Sequence, residues 1–236
     1  MRYELFYWTG IQGRGEFIRL ALEDAGADYI DVARKRGDKV IMSYLRGLQE
    51  GSLPFAPPFL KAGRLVIAQT GTILAYLGPH LGLVPGGAAA EFYAQQLQQT
   101  ICDIVMEVHD THHPIAASQY YEEQRAQARK RAQVFREERL PKFLDYFESI
   151  IERGNGRQAL SRHSYVDLSL FQLISGLDYA FPNAMQRMRG RIPRLRALAE
   201  RVADRPNIAA YLQSSRRIPF NEQGIFRHYT ALDPAS

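Results

Sequence analysis

The sequence predicts an α/β domain at the N-terminus followed by an all-α helical domain. Three observations carry that reading. Short aromatic and alternating runs punctuated by glycine and proline fill the first part of the chain. Beyond residue 90 no alternating run occurs, and long stripes at helical spacing take over. Between them Gly78 to Ala90, rich in Gly, Pro and Ala, has no periodicity and reads as a linker. Mixed elements followed by helices alone argue for two domains. The boundary is placed near residue 80, with domains over 1–79 and 89–236.

Residues 2–8, rich in Tyr, Phe and Trp, read as a first strand ending at Tyr7. After a glycine-punctuated loop from Thr9 to Gly13, the positions Phe17, Leu20, Ala21 and Ala25 keep helical spacing until Gly26, a natural C-terminal cap. Tyr29 to Val32 is a short second strand. Val40, Ile41, Tyr44, Leu45 and Leu48 suggest one helix in the charged segment 34–50. Pro57-Pro58 leads a strand from Phe59, Ala62-Gly63 is a turn, and Leu65 to Ala68 is a strand that hands over to a helix from Thr70 to Leu77, closed by Gly78-Pro79. The predicted order is β-α-β-α-β-β-α.

In the second part, Leu97, Ile101, Ile104, Val105 and Val108 form one helical stripe, and Leu140, Phe143, Leu144, Phe147, Ile150 and Ile151 another. Pro141 inside the second stripe marks a kink or a junction of two helices. Ser164-Tyr165-Val166-Asp167 precedes an apolar run with the layout of a capping box, in which Ser164 accepts from the Asp167 amide and Asp167 reaches back to that of Ser164. Two final helices are expected around Leu195 to Val202 and Ile208 to Leu212. The tail from Arg216 to Tyr229 is too aromatic for a disordered end and is expected to pack back on the molecule.

The 236 residues can bury a sizeable core, and a formal charge of +5 with arginines dispersed through the second half does not demand nucleic acid. A single cysteine, Cys102, excludes an intrachain disulfide or a thiolate metal cluster and fits a reducing cytoplasm. The first residues lack the layout of a secretory signal, and no run approaches the ~20 apolar residues of a membrane span. A soluble, cytoplasmic protein with no membrane partner is expected.

Two features point to a binding corner. A proline opening a strand cannot donate to the ladder and turns backbone groups toward a ligand. At Gln69-Thr70 a strand ends and a helix begins, so free amides and the positive end of the helix dipole favour a carboxylate. This pairing resembles the peptide-binding corner of a thioredoxin-like domain. Together with Tyr7, Gly13-Arg14-Gly15-Glu16, Ile18-Arg19, Ile73, Tyr76-Leu77 and the Ser164 to Asp167 box, it resembles the cytosolic glutathione S-transferase superfamily, in its tyrosine-type, bacterial-like form. The match extends over nearly the whole chain. It implies a thioredoxin-like glutathione-binding domain over 1–79, an all-helical domain over 89–236, glutathione as co-substrate, no metal, and a homodimer.

The chemistry implied by the resemblance is attack of the glutathione thiolate on an apolar electrophile. A free thiol of pKa about 8.5 is mostly protonated at neutral pH, so a hydroxyl that stabilises the anion is needed. Tyr7 matches that hydroxyl, although most strand tyrosines are packing residues; Thr9 is the fallback. Gln69 and Thr70 match the γ-glutamyl contacts, with a plain N-cap the simpler role for Thr70. Asp103 matches an acidic residue that reaches across a dimer to the γ-glutamyl ammonium, where a solvated helix aspartate is the simpler role. Arg14 resembles a basic residue near the sulfur, and Lys39, with Arg46 the second choice, is the candidate to meet the glycyl carboxylate. Pro57 stands where the family pairs both backbone groups of the residue before its cis-proline, Pro58, with the ligand; having no N–H, it offers only its carbonyl.

Walls for the second substrate are expected from His109, His112 and His113 and from Phe220, Phe226 and Tyr229 of the tail. The histidines with Asp110 suggest a metal, but Pro114 ends the helix and no fourth ligand is evident. Other uses of the same thiolate, in isomerisation or peroxide reduction, and a non-catalytic glutathione or ligand carrier are the alternative functions.

Overall fold

The computed structural model describes residues 1–235. Strands β1 (Tyr3–Phe6), β2 (Tyr29–Asp31), β3 (Phe59–Ala62) and β4 (Leu65–Ala68) form one sheet in the order β2-β1-β3-β4. β1 runs parallel to β2 and antiparallel to β3, and β3 pairs antiparallel with β4. Helices α1 (Gly15–Asp24) and α4 (Thr70–His80) cover one face, where Leu5, Ile18, Leu22, Leu60, Ile67, Ile73 and Leu77 pack together. The other face carries Phe6, Phe59 and Val66 against Ile41. This is the thioredoxin-like arrangement, with an all-α domain following.

The segment expected to hold one helix holds two, α2 (Val32–Arg36) and α3 (Lys39–Leu45), because Gly37 at φ 78° breaks the run. α4 continues to His80 with Pro79 inside its last turn, so Gly78-Pro79 does not close it. The connection to the helical domain is consequently shorter than the Gly78 to Ala90 linker read from composition, since α5 already starts at Ala88 (Ala88–Asp110).

Helices α6 (Arg125–Val134) and α7 (Leu140–Arg153) are joined by a π-helical turn, Phe135–Arg139, placed just before Pro141. Pro141 thus stands in the first turn of α7, where its missing donor costs least, at the junction of two helices that the sequence allowed for. The central helix α8 (Tyr165–Ala180) is buried almost throughout. At its start the expected capping box is present: Asp167 accepts from the Ser164 amide at 2.8 Å and the Ser164 side chain takes the Asp167 amide, its hydroxyl also bonding the carboxylate at 2.9 Å. Asp167 also takes the Ala159 N–H at 2.8 Å, which ties the preceding loop down. A short helix missed in the sequence, α9 (Pro182–Met188), precedes α10 (Pro193–Ala203) and α11 (Pro206–Leu212).

Phe17, Leu20, Ala21 and Leu74 of the first domain share one apolar cluster with Leu97, Ile101, Val166, Leu170 and Tyr211 of the second. The two domains thus have a common core. The tail packs back as expected: a methyl on Gly176 of α8 would meet the Phe226 ring, and the Ile225 carbonyl bonds His112.

Candidate active site between the domains

The register of the sheet sets the site. Phe6 pairs with Phe59, and Phe59 with Ala68, so the next residues along, Tyr7, Pro58 and Gln69, stand together at one end of the sheet. The peptide joining Pro57 and Pro58 is cis. Alternation returns Tyr7 to the face of α1, where its ring is 4% exposed and fits against two glycines. A Cβ on Gly15 would lie 2.6 Å from Tyr7 Cγ. No side chain could occupy either glycine position without displacing the ring.

The Tyr7 hydroxyl oxygen accepts the backbone N–H of Arg14 at 2.9 Å, at the N-terminus of α1. Burial pushes the phenol pKa up, and the Arg14 amide, with the Arg14 and Arg19 charges, works against that rise. Having accepted one hydrogen bond, the oxygen keeps its own proton to donate.

Beside Arg14 a cavity of about 400 Å³ opens between α4 and α5. Arg14, Gln69, Thr70 and Asp103 all line it, so four residues from three separate stretches of sequence meet there. Gln69 is the N-cap of α4 and has a positive φ of 69°, a conformation disfavoured for a residue with a side chain. Thr70 is accordingly the first helical residue and not the N-cap, and its buried Oγ1 has no hydrogen-bond partner. Sequence reading also missed that Gln98 and Cys102 of α5 belong to this wall. Burial raises the Cys102 thiol pKa, with the Gln98 amide and Arg14 opposing.

Other candidates lie around this centre. Lys39 is exposed at the start of α3, next to Asp38, which accepts from the Thr9 amide at 3.1 Å and from its hydroxyl at 3.3 Å. The Thr9 hydroxyl is therefore engaged away from Tyr7. Arg46 is exposed just after α3. Arg14 reaches over to Met106 Sδ at 3.8 Å, which brings the C-terminal end of α5 into the cleft.

His109 and His113 stack there with centroids 5.0 Å apart, and His112 stands edge-on to His113 at 4.8 Å. Burial, then the neighbouring His113 and Arg14, holds the His109 pKa below its usual value; burial and Arg227 take His112 down to about 2. Phe220 stacks on Tyr179 at 5.0 Å and meets Phe226 edge-on, so its ring contacts are with the tail and α8. Asn221, next to it, donates to the Gly10 carbonyl at 2.8 Å and holds the tail against the loop that follows β1.

The family model "Glutathione S-transferase, C-terminal domain" matches residues 109–215. A "Glutathione S-transferase" of Plasmodium yoelii yoelii is 25% identical over 207 residues, 87% of this chain and 90% of that protein. "Glutathione S-transferase P 10" of Caenorhabditis elegans is 26% identical over 215 residues, 90% of this chain and 91% of that protein. The Pi-class glutathione S-transferase of Onchocerca volvulus superposes with a TM-score of 0.72 at 24% identity, covering 95% of this chain and all but 1% of the other's residues, at 99%. Residues 109–215 thus match the C-terminal domain of the glutathione S-transferase family, and the chain is similar to glutathione S-transferases over about nine tenths of its length.

The site rests on a buried polar network. Arg19, fully buried, pairs with Glu16 at 3.1 Å and with Asp31 at 2.8 Å. Glu16 also accepts the Tyr211 hydroxyl at 2.7 Å and pairs with Arg217 of the tail. Arg217 bonds Gln172, which donates to Gln12 at 2.8 Å. Gln12 and Glu16 flank Gly13-Arg14-Gly15, so the loop that positions Tyr7 is anchored to α8, α11 and the tail. Glu16 and Arg19 sit in the motif that carried the family resemblance, whereas nothing in the sequence marks Tyr211, Gln172 or Arg217 as their partners.

Proposed function

We propose that this protein is a glutathione transferase that binds glutathione along the sheet end and the α4–α5 cavity and transfers its sulfur to an apolar electrophile. The observation that carries the reading is the Tyr7 hydroxyl, fixed by the Arg14 amide and left with a proton to donate. In a hydrogen bond donated to the glutathione sulfur, that proton stabilises the thiolate, whose own proton passes to solvent. Lowering a thiol pKa by about two units takes ~2.7 kcal/mol of differential interaction. The thiolate then attacks the electrophilic carbon, forming a C–S bond as the leaving group departs with the bonding electrons.

The remaining assignments follow the same reading. Gln69, Thr70 and Asp103 hold the γ-glutamyl end, and Lys39 meets the glycyl carboxylate. Pro57 offers the cysteinyl backbone its carbonyl alone; the unmatched ligand carbonyl lowers affinity by roughly 1 to 3 kcal/mol unless water reaches it. The electrophile faces Tyr7 from the side of Met106, His109 and His113, whose imidazoles stay neutral and present flat ring faces, with Phe220 and the tail closing the far side. The protein acts as a cytoplasmic homodimer.

Tyr7→Phe tests the assignment. Turnover is expected to fall by about tenfold or more while the glutathione dissociation constant stays within about threefold, because the lost proton matters chiefly to the ionised sulfur. The bound thiol, followed by its ultraviolet absorbance, titrates at higher pH in the variant. Unchanged turnover with an unchanged thiol titration removes Tyr7 from the mechanism, and glutathione that fails to bind at millimolar concentration removes the transferase reading itself.

A further inference from the structure

We infer that Gln98 of α5 is a further ligand-binding residue of this cleft, accepting a hydrogen bond from the ammonium group of the bound γ-glutamyl end. The inference rests on the glutathione reading given above and adds a contact to it.

Gln98 is 1% exposed and lies beside Leu97 and one turn before Ile101 and Cys102, on a stretch of α5 whose other buried positions are apolar. A glutamine there has to satisfy two donors and an acceptor. Its Nε2 faces only the Cys102 sulfur, at 3.8 Å, and its Oε1 has no partner. Thr70, 6% exposed, faces the same cavity from α4 with Oγ1 likewise unpartnered. Buried polar atoms are ordinarily paired, so unpaired oxygens on two residues that line one cavity point to a donor supplied by a ligand.

The charge pattern says which donor. Asp103 lines the cavity with these two residues, and Arg14 is its cationic lining residue. A group with several N–H donors and no acceptor, a primary ammonium, complements three oxygens; a carboxylate complements Arg14 and the free amides at the start of α4. An α-amino acid head carries both. A core role for Gln98 would instead use its amide within the protein, and Oε1 is left unused.

The test compares glutathione with its glutaryl analogue, which lacks only the ammonium, by calorimetric titration of the full chain. The wild-type protein is expected to prefer glutathione by about tenfold or more, the loss that follows from an unpaired buried acceptor. Gln98→Met, similar in length with no acceptor, is expected to lose about tenfold for glutathione and to bind the analogue within about twofold of wild type. Gln98→Glu, which keeps the acceptor and adds charge, is expected to raise the preference by about threefold or more. That ratio carries the test if Gln98→Met does not fold.

Equal losses for both ligands in Gln98→Met would mean that the residue acts only through packing and would overturn the inference, as would an unchanged preference in Gln98→Glu. Glutathione that binds with no dependence on Gln98 removes this contact and leaves the transferase reading intact. Glutathione that does not bind the wild-type protein removes both.

Discussion

A Cβ placed on Gly13 would stand 2.1 Å from the Tyr7 hydroxyl oxygen. The backbone there has a positive φ of 46°, so the position is closed to other residues both by conformation and by space. The neighbour cannot yield at its flexible end, because the atom in the way is the one proposed to do the chemistry. Gly13→Ala is therefore expected to push the phenol off its Arg14 amide, lower stability by about 1 to 3 kcal/mol and reduce turnover toward the level of Tyr7→Phe. Urea denaturation and a glutathione conjugation assay on the two variants check this; a Gly13→Ala protein with full turnover would show that the hydroxyl need not stay where it is.

Glu16 accepts from Arg19, Arg217 and Tyr211 while fully buried, and Arg19 is as deeply placed. Removing the carboxylate charge leaves two guanidiniums short of a counter-ion inside the protein. Glu16→Gln is expected to cost roughly 3 to 5 kcal/mol, the range for breaking one partner of a buried ion pair. Tyr211→Phe, which takes away one hydrogen bond to a charged group, is expected to cost about 1.5 to 3 kcal/mol. Because the groups share one carboxylate, the double variant should lose less than the sum. Equilibrium unfolding in urea reads all three, and additive losses would mean that the contacts act independently.

His112 gives the protein an acid limit. It is 1% exposed, and its pKa is held down to about 2 by burial and by Arg227. In the unfolded chain a histidine takes up its proton near its ordinary pKa of about 6.5, whereas the folded protein resists protonation there. Below that pH the unfolded state binds more protons, so stability is complete above about 6.5 and is lost as pH falls toward the folded value, by up to ~1.4 kcal/mol per pH unit. His109 and His113 are shifted in the same direction and add to the slope. His112→Gln is expected to be less stable at pH 7, having lost the bond between His112 Nε2 and the Ile225 carbonyl at 2.8 Å. Between pH 7 and 5 it should lose about 1 to 2 kcal/mol less than wild type. Urea unfolding at the two pH values measures the difference, and parallel losses would assign the acid limit to other groups.

What the sequence disclosed follows from how local each signal is. Strand alternation, the Thr70 helix start and the apolar stripes of α5 and α7 are visible within a few residues, and they suffice for the two-domain order. Tyr7, Arg14, Gln69, Thr70 and Asp103 could be named from a family pattern, but their meeting at one place depends on the register of β1, β3 and β4 and on the packing of α4 against α5. Gln98 and Tyr211 carry no local mark, since a glutamine in an apolar helix stripe and a tyrosine near the end of α11 look like ordinary helix positions. Their partners lie across the fold, and for Tyr211 the partner is 195 residues away. The split of α2 from α3 at Gly37 was missed for a related reason: a single glycine conformation decides the backbone there, and the apolar positions carry no sign of it.

Gln69 combines a cost with a use. Its φ of 69° is unfavourable for any residue with a Cβ, by about 1 to 2 kcal/mol relative to glycine, yet its side chain lines the cavity at the point where β4 passes into α4. No side-chain hydrogen bond caps the helix there, so the strained backbone is not repaid by a local contact. Gln69→Gly should separate the two effects. Removing the Cβ relieves the strain, offset in part by the greater freedom of glycine in the unfolded chain, so stability is expected to hold or rise by up to about 1 kcal/mol. Glutathione affinity is expected to fall by about tenfold, since a side chain that would hydrogen-bond the γ-glutamyl end is gone. Thermal unfolding and calorimetric titration of the same sample give the two signs. A variant that loses stability and affinity together would show that Gln69 holds the corner by its side-chain packing, and the strain would then need another explanation than ligand contact.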